Sequence, residues 1–145
     1  MGYCMTQRDA SFSIPREKYE DAIKHLRTLM TEEGKMSGGR FARGGCEARW
    51  FSWVDTKEAI AQLDKEDLQG FLWQWRWEAE EDETGITSIM FHGEKLGDDD
   101  HLWAALAPFV TEGSTIDMEG EDGTLWRWSF EGGEVHEKAG RVVFE

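Results

Sequence analysis

Two stretches decide how this chain is read: LWQWRWEAE at residues 72–80 and its near echo LWRWSFEGG at residues 125–133. In an extended backbone successive side chains point to opposite faces, so Trp73, Trp75 and Trp77 would share one face of a strand, and Trp126, Trp128 and Phe130 one face of another. Each ring can bury ~150–250 Å², and at ~25 cal/mol per Å² a small domain loses much of its stability by leaving six of them in water. The rings are therefore expected in a core. Gln74, Arg76 and Glu78 then fall on one polar face, and Arg127 and Ser129 on another.

Turn signals lie on either side of both stretches. DETG (82–85) separates the first from ITSIMFHGE (86–94), a hairpin pattern. Asp122-Gly123 and Gly132-Gly133 divide STIDMEGED, GTLWRWSFEGG and EVHEKAGRVVFE into three strands of a terminal meander. Upstream, SFSI (11–14) alternates like a short strand ending at Pro15. Tyr19, Ala22, Ile23, Leu26, Leu29 and Met30 then recur at helical steps, which predicts an amphipathic helix over residues 15–32, with Ser13 or Ile14 at its cap and Gly34 near its stop.

ARWFSWV (48–54) reads as a strand. Asp55, with Glu58 three residues on, forms a capping box for a helix through Ala59, Ile60 and Leu63. EDLQGFL reads as a turn into the Trp strand. Asp98, Asp99 and Asp100 precede Leu102, Trp103, Leu106 and Phe109 at helical spacing and are expected to cap that helix, whose last turn Pro108 limits. The order predicts one α+β domain over residues 1–145, a mostly antiparallel sheet of five to six strands against two or three helices. A Gly/Arg-rich loop at residues 34–45 is expected to be mobile.

The net charge is -14, unevenly distributed. Residues 1–50 carry nine Lys/Arg against seven Asp/Glu, which leaves -16 on residues 51–145. Such a field opposes direct nucleic-acid binding, because each phosphate contact would form against long-range repulsion, and favours a basic protein partner. The two cysteines, Cys4 and Cys46, have no Cys or His at metal-ligand spacing and read as free thiols of a reducing compartment. No apolar segment approaches membrane-spanning length, so a cytoplasmic location is expected.

The chain ends, MGYCMTQRDASFSI and GEDGTLWRWSFEGGEVHEKAGRVVFE, resemble small acidic proteins of unknown function from bacteria and their mobile elements. That resemblance brings no assigned catalytic residue with it.

The chain has no GxSxG, HExxH or Walker loop, and SGGRFARGG (37–45) lacks the Lys-Ser/Thr that a phosphate loop requires. Cys46 lies between Arg43 and Arg49 without a matching His. His92 and His101 near Asp98, Asp99 and Asp100 are the best metal candidates. The helix start already explains those aspartates, so neither metal nor cofactor is expected.

Four adjacent acids, Glu80, Glu81, Asp82 and Glu83, exceed what a hairpin turn needs. They mark the contact of a non-catalytic acidic interaction module, an inhibitor, immunity factor or phage-type anti-defence protein acting on a basic site. In the alternative, Arg76 and Arg127 share an open sheet face beside Trp53 or Trp50 and bind a small anion or nucleotide by bidentate bonds and stacking. The plainer role for both arginines is pairing with Glu78, Glu80 or Glu131. An enzyme with dispersed residues is the least favoured class.

Overall fold

The computed structural model describes residues 2–31 and 51–141. The Gly/Arg-rich loop, Cys46 and Trp50 lie outside them. Among the described residues, seven strands and four α-helices form two antiparallel sheets, the α+β class expected. The larger sheet has the order β1 (Met5–Ser11), β5 (Thr115–Gly120), β6 (Leu125–Glu131), β7 (Glu134–Gly140). In the smaller one β4 (Gly85–Phe91) lies between β2 (Ile14–Pro15) and β3 (Trp77–Asp82). The helices are α1 (Tyr19–Thr31), α2 (Thr56–Asp64), α3 (Leu68–Gln74) and α4 (Asp99–Leu106). No helix among the described residues is long and apolar enough to cross a membrane.

The meander and the first hairpin form as predicted. Gly123, Gly132 and Gly133 take positive φ at the two glycine turns, and β3 returns as β4 through residues 83–84. Asp55 caps α2 by accepting from the Glu58 amide at 3.1 Å. α1 begins later than expected, because residues 16–18 form a 3-10 turn after Pro15, whose extended φ and ψ make it the cap in place of Ser13 or Ile14.

Three strand assignments are corrected. The first strand is Met5–Ser11 rather than residues 11–14, and the chain then bends at Phe12 and Ser13 to place Ile14 against Ile86. Residues 51–54 are not a strand. Phe51 and Val54 are buried on either side of a turn in which Trp53 adopts φ 65°. Residues 68–74 are helical: Asp67 caps α3 by accepting from the Gly70 amide at 2.8 Å, and Leu68, Phe71, Leu72 and Trp75 then form one buried stripe. A short apolar run satisfies either period, and here the cap selects the helical one. Trp73 is thus turned outward at 52% exposure, while Trp75 and Trp77 are fully buried.

The rings of the two opening stretches nevertheless meet. Trp77 of β3, Trp103 of α4 and Trp128 of β6 form a triangle with centroid separations of 4.9, 6.1 and 6.3 Å, mostly edge to face, the arrangement that aligns ring quadrupoles favourably. Phe12, Phe91 and Phe130 pack around it. The two sheets are joined by a side chain. The Gln7 amide donates to Ile89 O at 3.1 Å and accepts from the Phe91 amide at 2.9 Å, the pair of bonds a neighbouring strand would make.

Trp75→Ala and Trp128→Ala should each cost ~3–5 kcal/mol in urea melts, as buried aromatic truncations do. Trp73→Ala, at a half-exposed position, should cost less than ~1 kcal/mol. Equal losses at all three positions would contradict this core.

Candidate functional site

The three aspartates that open α4 act as ties between elements. Asp98 occupies the cap position without a side-chain capping bond, and instead accepts from the Ser52 amide at 2.7 Å, holding the turn that carries Trp53. Asp99 is completely buried and accepts from Trp77 Nε1 at 2.9 Å, the Gly97 amide at 3.0 Å and Arg76 Nη2 at 3.1 Å. Asp100 accepts from Trp128 Nε1 at 2.9 Å. The capping duty expected of this triplet is therefore corrected. It links the Trp53 turn, the start of β3 and the middle of β6.

Arg76 belongs to this node and pairs with none of Glu78, Glu80 or Glu131. It ends α3 in the left-handed region, at φ 72°, with its amide donating to Trp73 O at 2.8 Å, a position usually given to glycine. Its guanidinium lies 5.3 Å from the Phe91 ring centroid, donates to Lys95 O and pairs with Asp99. Burial is the first influence on both partners, lowering the guanidinium's pKa and raising the carboxyl's, while their mutual attraction opposes each shift. Trp53 stands beside it: a Cβ on Gly97 would lie 2.7 Å from Trp53 Cδ1 and 3.0 Å from Arg76 Nη2. The fold thus brings Trp53 and Arg76 together, with the arginine largely withdrawn from solvent.

Arg127 is elsewhere, on the outer face of the larger sheet, so the two arginines do not share a face. Asp117, its partner across the β5–β6 register, accepts from Nε at 2.6 Å and Nη2 at 2.9 Å; that pairing raises the guanidinium's pKa and replaces the expected one with Glu131. Around it lie three basic residues that sequence reading did not assemble: Arg8, Lys138 and Arg141. They line a groove of about 470 Å³, although Arg8 pairs with Glu119 at 2.7 Å and Lys138 with Glu131 at 3.4 Å. The signal was present in the turn, since placing Gly132-Gly133 there fixes Arg127 opposite Lys138.

The acidic hairpin is where it was expected. Glu80, Asp82 and Glu83 are exposed, and Asp82 shapes the turn by accepting from the Thr84 amide at 2.8 Å and from its hydroxyl, bonds that lower its pKa. Glu81 is held from α1's side by the Tyr19 hydroxyl at 2.8 Å and by Arg16 at 3.6 Å. Arg16 also donates to the carbonyls of Asp82 and Glu83. These bonds bring the start of α1, with Glu17, Glu20 and Asp21 exposed, against the hairpin tip.

His92 bonds Glu78 at 2.6 Å, and the three aspartates are taken up as described. Among the described residues no group of three or more His, Cys, Asp or Glu is placed to hold a metal ion. Comparison with protein-family models, curated proteins and solved structures gives no match.

Arg76→Ala should cost ~3–5 kcal/mol near neutral pH, because it strands a buried carboxylate. Without the arginine, Asp99's folded pKa rises further above its unfolded value, so the penalty on ionised Asp99 grows above the ordinary carboxylate range and vanishes below it. The gap between variant and wild type should therefore narrow as pH falls from ~7 to ~4.5 in urea melts. A gap that widens on acidification would remove Asp99 as its cause.

Proposed function

We propose that this chain is a non-catalytic acidic module that docks on a basic surface of a partner protein in the cytoplasm, as an inhibitor, immunity factor or anti-defence protein would. The hairpin tip carries this reading. Residues 16–21 and 80–83, joined by the Arg16 and Tyr19 bonds, hold seven carboxylates against two cations on one end of the fold. Four of those acids are adjacent, and only Asp82 is needed for the turn. A concentrated field of this kind speeds encounter with a positive surface and repels nucleic acid.

The groove at Arg127 supports a second reading, a small anionic ligand. It draws Arg127, Lys138 and Arg141 from the seven cations of residues 51–145 and adds Arg8. The carboxylates already bonded to Arg8, Arg127 and Lys138 compete with any such anion, which places this reading second.

The test is retention of partners from cell extract on immobilised protein, eluted by a salt gradient. Three proteins are compared: wild type, a hairpin variant with Glu80, Glu81 and Glu83 changed to Gln, and a control with Glu66, Glu94 and Glu134 changed to Gln. Wild type and control should release the partner together, within the range where the Debye length falls from ~10 Å at 0.1 M to ~3 Å at 1 M. The hairpin variant should release it at lower salt. Identical elution of all three, or elution indifferent to salt, would sink the docking reading. Saturable binding of inorganic phosphate that Arg127→Ala abolishes would favour the groove.

A further inference from the structure

At the far end of β1 from the hairpin, the segment ahead of Met5 runs on past the end of β5, with Cys4 O accepting from the Glu121 amide at 2.8 Å. Tyr3 lies across Gly120 so closely that a Cβ there would be 1.7 Å from the phenol oxygen and would push the ring aside. The hydroxyl donates to Asp122, and the ring stands 6.4 Å from that of Trp126. Trp126 meets Trp128 edge to face at 5.9 Å, and Trp128 is fixed by its bond to Asp100. Glu137 of β7 is the cross-strand partner of Trp128. Tyr3, Trp126, Trp128, Asp100 and Glu137 together wall a solvent-open cavity of about 190 Å³.

The chemistry of this cavity is that of a cation site. Its walls offer aromatic surface and two carboxylates, with no Lys or Arg among the described residues of the lining. Burial, and then the charge of Asp100, raise the Glu137 carboxyl's pKa, so a positive group entering here would relieve a like-charge contact. The nearby cation, Lys95, is turned to Cys4 Sγ at 3.6 Å. A divalent metal asks for six or so oxygen ligands, which two carboxylates among aromatic rings do not provide. A planar, weakly hydrated guanidinium suits the set better: it stacks on indole or phenol while its edge donates to carboxylates, whereas a compact ammonium keeps its water more strongly.

We propose that this cavity receives the guanidinium of an arginine side chain presented by the partner. The inference rests on the reading of a basic partner for the source of that arginine, and gives the interface an anchor remote from the acidic hairpin. Glu137 and Asp100 take the N–H groups, and Tyr3 and Trp126 form the aromatic wall, with the buried Trp128 packed edge to face against Trp126.

The experiment follows the indole N–H resonances of Trp126 and Trp128 by NMR, titrating the whole protein with N-acetyl-arginine amide, its neutral citrulline isostere and the lysine counterpart. The arginine probe should give saturable shifts at both indoles, and citrulline none. The lysine probe should bind more weakly. Glu137→Gln, a conservative change on an exposed strand, should weaken the arginine probe about tenfold, ~1.4 kcal/mol. Gly120→Ala, which displaces the Tyr3 ring, should do the same if far-UV and near-UV circular dichroism stay native. The hairpin variant should bind the probe as wild type does.

Absence of saturable shifts, an equal response to citrulline or lysine, or unchanged affinity in Glu137→Gln would each overturn the assignment. Because the probe needs no partner, the two failures separate. Probe binding without a salt-sensitive partner in extract sinks the docking reading alone, and a salt-sensitive partner without probe binding sinks the cavity alone.

Discussion

The fold depends on one buried carboxylate. Asp99 has no contact with water, and an isolated charge in that position would cost several kcal/mol. It is tolerated because an indole N–H, a backbone N–H and a guanidinium all donate to it, from β3, the segment before α4 and the end of α3. Those donors explain otherwise awkward features nearby. Arg76 combines a left-handed backbone with a side chain that reaches inward to Asp99, and the Trp77 ring bonded to the same carboxylate meets Trp103 and Trp128. The aspartates on either side extend the arrangement to Ser52 and Trp128, so one turn of helix orients the aromatic centre of both sheets.

Periodicity and turn chemistry made the meander, the hairpin, α1, α2 and α4 legible, because each has a long pattern or a glycine turn that only one structure satisfies. The segment from Leu68 to Trp77 was not legible in the same way. Its alternating Trp residues fit a strand, and the competing apolar spacing of Leu68, Phe71, Leu72 and Trp75 fits a helix; Asp67 decides between them by capping. The same error misplaced Arg76, since a residue at a helix end follows no face rule. The acids at residues 80–83 were legible as a hairpin tip because they are adjacent in sequence. The Arg127 groove and the Tyr3 cavity draw residues from four strands and from a terminal segment respectively joined to distant ones, and such sites become visible only when register is known.

Charge in this protein is sorted by place rather than merely abundant. Several cations are committed to fixed partners: Arg76 inside, Arg8, Arg127 and Lys138 on the outer sheet face, Arg16 in support of the hairpin. Among the acids without a cationic partner, Glu80, Asp82 and Glu83 at the hairpin tip and Glu17, Glu20 and Asp21 at the start of α1 stand together on one end of the fold. A surface organised in this way favours one orientation of approach for a positive partner, which is how complementarity contributes more to selectivity than to raw affinity.

The Gln7 amide has a further consequence, for what the protein avoids. β2 covers only Gly85 and Ile86 of β4, so the rest of that strand's outer border would offer unpaired backbone groups to any extended peptide. By taking Ile89 O and the Phe91 N–H, a single side chain occupies the docking points a foreign strand would need. A carboxylate of the same length could accept but not donate, and an apolar side chain could do neither. The stitch between the two sheets is thus also a guard against self-association through the β4 border.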